Sequence, residues 1–396
     1  NYPKEVDLPS YKPNYIGNPR QIKAAAEMIS KAERPIIIAG GGIILSNASQ
    51  ELRDLVAKTN IPVGSTLMGL GAYPADDFLA LGMVGMHGAA YANYTLAESD
   101  LIIAIGMRFS DRVTGKLSTF VPHAKIIHID IDPAEISKCV PATIPIVGDV
   151  KNVLTELIPL VKAPNIKPWL EKVKVWKEQY PLAYKKDGGS IAPQYVLQEI
   201  NRLTKGDCII TTEVGEHQMW AAQYMLHKNP RSFISSGGLG TMGFGFPAAI
   251  GAQVGCPDKL VVDIAGDGSI QMNIQELGTV KRYNIPVKVC IMNNGYLGMV
   301  RQWQELFYGK RYSQTDLCAG GNPDFVKVAE AYGVLGLRAT KPEEVGKVLE
   351  QAFNHKGPVF MDMVVEPEAS VYPMVPAGGI INKMILNEER KGETYS

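Results

Sequence analysis

Two short stretches hold the residue types best suited to chemistry. Gly266-Asp267-Gly268 closes an apolar run that begins at Leu260, and Asn293-Asn294-Gly295 closes another that begins at Val287. A carboxylate and an amide oxygen are hard donors of the kind Mg²⁺ takes, with further positions left to water and a phosphorylated ligand. The flanking glycines let backbone approach a phosphate, and a helix N-terminus there adds favourable partial charge. Gly266-Asp267-Gly268 alone reads as a tight strand-to-helix turn. Its pairing with Asn293-Asn294 favours a metal–diphosphate site.

The elements between these stretches must bring them together. Ser269 is expected to cap the helix that follows, with Ile270, Ile274 and Leu277 on one face. Ile285-Pro286 stops that helix, and Val287–Asn293 reads as the next strand. A right-handed strand–helix–strand crossover makes the two strands parallel neighbours. Asp267 and Asn294 are then expected at adjacent carboxyl ends, where open α/β sheets bind ligands.

The same alternation runs through the chain. Pro35–Gly41, Ile61–Thr66, Leu79–Val84, Leu101–Met107, Lys125–Ile131 and Ile144–Gly148 form one set of predicted strands. Cys208–Val214, Ser232–Ser236, Leu260–Ala265, Val287–Asn293, Leu335–Thr340 and Val359–Val365 form a second. The fold expected is α/β, with two doubly wound parallel-sheet domains in series. The expected division is a linker over 1–17, a domain over 18–163, a helix and loop over 164–190, a second domain over 191–366 and a tail over 367–396. The four prolines before Gln21 mark the opening linker and suggest a chain shortened from something longer. The Pro/Gly-marked tail is expected to pack over a neighbouring element.

Composition narrows the class. The chain has 396 residues with 40 Lys+Arg against 40 Asp+Glu, which argues against bulk-electrostatic binding of nucleic acid or an anionic membrane. No apolar run approaches the roughly 18 residues of a membrane span. The five cysteines, Cys139, Cys208, Cys256, Cys290 and Cys318, lie far apart and suit a reducing compartment.

The order Gly-Asp-Gly, helix, strand, Asn-Asn resembles the thiamine diphosphate motif of thiamine-dependent enzymes. Thr211–Gln223, Ser235–Ala252 and Asn293–Ser313 narrow the resemblance to the acetohydroxyacid (acetolactate) synthase catalytic subunits, over nearly the whole chain. That resemblance implies Mg²⁺ held by Asp267, Asn294 and the backbone oxygen of Tyr296. It implies diphosphate contacts from Gly268, Ser269 and His217, within a thiamine diphosphate site that also takes in Val214, Gly215, Glu216, Gly240, Gly266, Leu297, Gly298 and Met299. Met242 would hold the cofactor bent. Met299, Val300, Trp303 and Phe307 would line the substrate channel. The family usually carries Gln where this chain has Glu216, and a carboxylate there would repel a diphosphate unless protonated or turned away.

Ile38–Ile43 runs a strand into three glycines, a pattern suited to close nucleotide approach. With Gly64–Gly71, Gly85–Asn93, Gly106–Val113 and His128–Pro133 it resembles the FAD-holding middle domain of the same family. The implied FAD contacts are Gly41, Gly42, Thr66, Leu67, Met68, Gly85, Met86, His87, Gly106, Arg108, Arg112, Val113, Asp130, Ile131 and Asp149. Arg112 would also bind the second substrate's carboxylate, as a guanidinium fork can, and Met86 would stand with it at the catalytic surface.

The implied reaction condenses pyruvate with a second 2-oxo acid, pyruvate or 2-oxobutyrate, with loss of CO₂. It gives 2-acetolactate or 2-aceto-2-hydroxybutyrate on the route to valine, leucine and isoleucine. The family further implies a homodimer or homotetramer, a small regulatory subunit, a cytoplasmic or plastid location, and a catalytic Glu in an N-terminal domain that this chain does not match.

Other readings stay open at this level. Met242 and Met299 could be core filler, Trp303 and Phe307 an i,i+4 helix pair, and His217, His123 and His128 structural. Arg108, Asp111 and Arg112 could form a solvated loop with local ion pairs. Gly238–Gly243 fits a dinucleotide fingerprint with Asp263 20 residues on, which would suit an NAD- or FAD-linked oxidoreductase. Another thiamine enzyme, such as pyruvate oxidase or a 2-oxo acid decarboxylase, or a cofactor-binding fragment without turnover, completes the set.

Overall fold

The computed structural model describes residues 13–184 and 189–386. The Lys185–Gly188 part of the expected central loop, most of the opening linker and the end of the tail lie outside the described residues. The chain divides into two compact units. The first holds residues up to Tyr73, Asp77–Pro181 and Val375–Met384; the second holds Pro74–Asp76, Leu182–Met374 and the residues from Ile385.

The first unit is built on a six-stranded parallel sheet of β1 (Pro35–Ala39), β2 (Val63–Ser65), β3 (Ala80–Met83), β4 (Leu101–Ile105), β5 (Lys125–Asp130) and β6 (Ile144–Val147), in the order β3-β2-β1-β4-β5-β6. The central strands β1 and β4 are buried at every residue. That explains their unbroken Ile-rich runs, since a parallel strand covered on both faces has no polar side to alternate with. The helix Lys167–Gln179 buries Trp169, Val173 and Trp176 on one stripe, and the Trp169 Nε1–H donates to the Pro35 carbonyl at 3.0 Å. Segment Val375–Met384 joins this unit through backbone bonds from Val375 N–H to the Met86 carbonyl (2.8 Å) and from Lys116 N–H to the Gly379 carbonyl (2.9 Å).

The second unit carries β7 (Ile209–Thr212), β8 (Phe233–Ser235), β9 (Val261–Gly266), β10 (Lys288–Asn293), β11 (Leu335–Ala339) and β12 (Val359–Val364), ordered β11-β12-β10-β9-β7-β8 and all parallel. Its core packs Phe246, Val261, Val289, Leu277, Phe325 and Phe360, with Phe246 and Phe360 edge-to-face at 5.3 Å. All twelve predicted strands are present, and the two doubly wound sheets match the expected fold class.

One local expectation fails. No single helix follows Gly266-Asp267-Gly268. A short helix, Asp267–Ile270, runs into a 3₁₀ turn over Gln271–Glu276, and a second helix starts at Leu277. Asn273 leaves helical geometry (φ −134°, ψ 31°) because its amide donates to the Gly243 carbonyl at 2.6 Å. A side chain that bonds backbone elsewhere competes with the helix ladder. The N-cap is Gly266, not Ser269; the Ser269 hydroxyl reaches back to accept the Gly266 N–H at 3.2 Å. Among the described residues no helix is long and apolar enough to cross a membrane.

Candidate functional site

In the second sheet the strand order reverses between β7 and β9, where open α/β sheets leave a crevice. The expected thiamine-site residues lie at the end of β9 or just after β7, β8, β9 or β10, at the carboxyl edge. The β9–β10 register pairs Met292 with Gly266, so both strands end at the same level and release Asp267 and Asn294 side by side.

Asp267 is 1% exposed. Its Oδ2 accepts hydrogen bonds from Gly295 N–H (3.0 Å) and Asn322 Nδ2 (2.8 Å). Burial pushes its carboxyl up to about 6, against these donors. A buried carboxylate raised in this way gains from a cation beside it. Asn294 turns its Nδ2 to Glu216 Oε2 at 3.3 Å, and its Oδ1 accepts the Tyr296 N–H at 3.1 Å. With its nitrogen on Glu216, the amide turns its oxygen the other way. The donor set is thus a carboxylate and an amide oxygen, hard oxygens suited to Mg²⁺. It contains no cluster of three His, Cys, Asp or Glu side chains, and none occurs among the described residues.

Glycines bring buried side chains close around it. A Cβ on Gly266 would stand 2.7 Å from His217 Nδ1, and one on Gly298 would stand 1.8 Å from Glu216 Oε2. Gly268 lies under Leu297 and Leu317, with the Met242 methyl 3.9 Å from where its Cβ would be. Met242 is therefore brought to the Gly-Asp-Gly turn. His217 is buried beside Gly266 and Ser269, and burial lowers it to about 3, which keeps its ring neutral.

Glu216 answers the question its sequence raised. It is 3% exposed, and its carboxylate is turned against Gly298 and Asn294. Burial pushes it up to about 8, opposed by the Arg301 guanidinium 4.0 Å away and reinforced by Glu305. Arg301 is itself buried and spends its donors on Glu305 (3.1 Å), the Glu368 and Ala369 carbonyls and the Ser370 hydroxyl.

Three residues were not singled out from sequence. Glu213 sits fully buried just past β7, where its two oxygens accept Gly243 N–H (2.5 Å) and Phe246 N–H (2.9 Å) and so fix the loop that carries Met242. Arg301 anchors the helix Gly298–Phe307. Asn322 reaches Asp267 from a loop clipped onto the Asn294–Gly298 turn by Leu297 N–H to Thr315 carbonyl (2.8 Å) and Leu317 N–H to Gly295 carbonyl (2.9 Å). Only Glu213 had a sequence signal, a charge at the end of an apolar strand.

Trp303 and Phe307 pack edge-to-face at 5.4 Å on one helix, while Val300 and Phe307 are half or nearly half exposed. The dinucleotide fingerprint has no usable acid. Asp263 lies inside β9, fully buried, with Thr211 Oγ1 donating to it at 2.8 Å.

The first sheet reverses between β1 and β4. Gly40 to Gly42 and Gly106 meet there: Gly42 N–H donates to the Gly106 carbonyl at 3.0 Å, and a Cβ on Gly40 would lie 2.0 Å from that oxygen. Met68 lies against Gly41, and Thr66 and Leu67 share its turn after β2. Gly85, Met86 and His87 follow β3, where Met86 N–H donates to the Arg112 carbonyl at 2.7 Å. His87 is buried and lowered to about 4, first by burial and then by the Arg112 charge. Arg108 is exposed and Val113 buried after β4, and Asp130 ends β5 with Ile131 next to it. Asp149 caps the helix Val150–Leu160 through the N–H groups of Lys151 and Asn152. Arg112 forms an exposed pair with its neighbour Asp111 at 3.1 Å, the local ion pair that the plainer reading expected.

Comparison with known proteins agrees with this geometry. Residues 22–157 match the thiamine pyrophosphate enzyme central domain, and 213–363 match the C-terminal TPP binding domain of such enzymes. A probable acetolactate synthase large subunit of Methanocaldococcus jannaschii is 52% identical over 97% of this chain and 66% of its own length. The acetolactate synthase large subunit of Haemophilus influenzae is 47% identical over 98% of this chain and 69% of its own. An acetolactate synthase of Mycobacterium bovis is 48% identical over 96% and 63%. The chain thus spans about two thirds of the length of these relatives. Two doubly wound sheets, a Gly-Asp-Gly turn beside an Asn-Asn pair, and these likenesses along nearly all of its length place the chain in the acetolactate synthase large-subunit family of thiamine pyrophosphate enzymes.

Proposed function

We propose that this chain forms the cofactor-binding part of an acetolactate synthase, condensing pyruvate with pyruvate or 2-oxobutyrate with loss of CO₂ in branched-chain amino-acid biosynthesis. The supporting observation is the level exit of β9 and β10, which sets Asp267 beside Asn294 with the amide oxygen turned off Glu216. Asp267, Asn294 and the Tyr296 carbonyl would hold Mg²⁺. Gly268, Ser269 and neutral His217 would donate to the diphosphate, within walls formed by Val214, Gly215, Gly240, Gly266, Leu297, Gly298 and Met299. Thiamine diphosphate, when bound, supplies the electron sink that lets a 2-oxo acid lose CO₂ and its acyl carbon attack a second one.

The residues of the chain position and screen that chemistry. Met242, fixed through Glu213, would bend the cofactor over the Gly-Asp-Gly turn. Val300, Trp303 and Phe307 would shape the second-substrate channel. FAD would lie across the β1/β4 crevice on Gly41, Gly42, Thr66, Leu67, Met68, Gly85, Met86, His87, Gly106, Arg108, Val113, Asp130, Ile131 and Asp149. Exposed Arg112 would swing from Asp111 to a substrate carboxylate. A homodimer or homotetramer, a small regulatory partner and a cytoplasmic location accompany this reading.

Calorimetry tests it on the chain itself. Thiamine diphosphate uptake is expected only with Mg²⁺ present, and Asp267→Asn abolishes it. Equal uptake without metal, or unchanged uptake by the variant, overturns the proposal. Acetate or free aldehyde in place of acetolactate from the full-length enzyme would reassign the reaction to another thiamine enzyme.

A further inference from the structure

Asn293, the first member of the Asn-Asn pair, has no role in the metal site described above. Its Nδ2 donates to Asp362 Oδ1 at 2.9 Å. Asp362 is 2% exposed, and its other oxygen accepts Arg338 Nε at 2.9 Å. An arginine-paired carboxylate is an acceptor only. It therefore dictates which way the Asn293 amide faces: nitrogen toward Asp362, oxygen toward the site. The Asn293 Oδ1 then lies 3.4 Å from Asn322 Nδ2, which donates to Asp267 Oδ2 at 2.8 Å. Gln271 Nε2 fixes the same amide from the other side, donating to Asn322 Oδ1 at 3.2 Å and to the Asp267 carbonyl at 2.9 Å. The bonds follow the sheet order from β11 through β12 and β10 to the end of β9.

We propose that Asn322 and Asn293 are positioning residues for Asp267, the last links of a hydrogen-bond chain from the Arg338–Asp362 pair that sets the rotamer of the metal-binding carboxylate. Each amide orientation is imposed by the link before it, so the chain transmits direction as well as contact. Outer partners of this kind are worth about 10–100-fold in metal affinity. They matter most for Mg²⁺, which demands near-ideal octahedral geometry, and less for the more tolerant Ca²⁺. Loosening Asp267 should therefore erode the preference between the two ions, which general destabilisation would not do.

This inference rests on the Mg²⁺ reading of Asp267, and the experiment separates the two. Mg²⁺ and Ca²⁺ affinities of the full chain are measured by calorimetry at fixed thiamine diphosphate. Asn322→Ala is expected to weaken Mg²⁺ about 10–100-fold and Ca²⁺ much less. Asn293→Ala is expected to act in the same direction by a smaller factor. The double variant should fall within about twofold of Asn322→Ala, because residues of one network are not additive. If Asn322→Ala lowers the unfolding midpoint, the ion ratio of Asn293→Ala decides. Mg²⁺ binding within twofold of the parent in both variants, or equal losses of Mg²⁺ and Ca²⁺, overturns the positioning role while the Asp267→Asn loss keeps the metal reading. Metal-dependent uptake that survives Asp267→Asn overturns both.

Discussion

The two sheets reverse direction in the same way, yet they furnish their crevices with opposite materials. At the β1/β4 crevice the meeting surfaces are backbone: Gly40, Gly42 and Gly106 approach so closely that a single methyl would collide with a carbonyl oxygen. Its one arginine with a proposed substrate role, Arg112, is well exposed and pairs only with its neighbour. The second sheet surrounds its crevice with buried ionisable groups: Glu213, Glu216, His217, Asp263, Asp267 and Arg301. Such buried groups are kept out of water at a cost in stability.

Variants that exchange these materials sharpen the contrast. Arg301→Met should be the most damaging, by about 3–5 kcal/mol, because it removes the close partner of the buried Glu305 carboxylate. Urea unfolding followed in the second unit measures it, and a loss below about 1 kcal/mol would show that the buried charges are not held by one another. Gly40→Ala should cost the first unit about 3 kcal/mol, since the obstacle is fixed backbone at 2.0 Å and not a movable side chain. FAD binding, followed by its absorbance, should fall with it.

Acidification distinguishes the units next. In the first, His87 is lowered to about 4 by burial and His128 is lowered too, while the Asp130 carboxyl is raised. The unfolded chain takes up protons near the ordinary histidine value of about 6.5, so the histidine contribution is complete above that pH and drains away below it. Between pH 7.5 and 5.5 His87 should cost about 1 kcal/mol. In the second unit His217 and His227, at about 3 and about 4, pull the same way. Glu216 at about 8 and Asp267 at about 6, with Glu213 and Asp263 also raised, pull against them: these carboxyls hold protons in the folded state that the unfolded chain releases above about pH 4. Hydrogen exchange read separately for each unit should show the first weakening more at pH 5.5. Equal weakening would contradict the contrast. Smallest of all, Arg112→Met should change unfolding by less than about 1 kcal/mol, as exposed pairs do; a larger loss would mean that Arg112 is held as Arg301 is.

What was legible from sequence follows from how far away each partner lies. β1 and β4 announce themselves because burial on both faces leaves nothing but apolar residues. The Asp267–Asn294 pairing was legible because one crossover rule connects its strands. The break at Asn273 was not, since it depends on the Gly243 carbonyl 30 residues earlier. Asn322 was equally silent: Gly-Gly-Asn-Pro reads as a turn, and its bond to Asp267 spans 55 residues. Glu216 looked like a liability beside a diphosphate, and only the three-dimensional placement of Arg301, Gly298 and Asn294 shows where the carboxylate goes.

The path of the C-terminal segment has a practical outcome for anyone dividing this protein. Val375–Met384 completes the first unit by bonding the Met86 turn and the Lys116 backbone, and Asn93 Nδ2 lies 3.3 Å from the Met384 sulfur. An excised fragment ending at Pro181, or a chimera joined there, would leave the Met86 carbonyl bare beside the proposed flavin contacts. Such pieces need the distal decapeptide supplied in trans, or grafted back, before their failure to bind anything is informative.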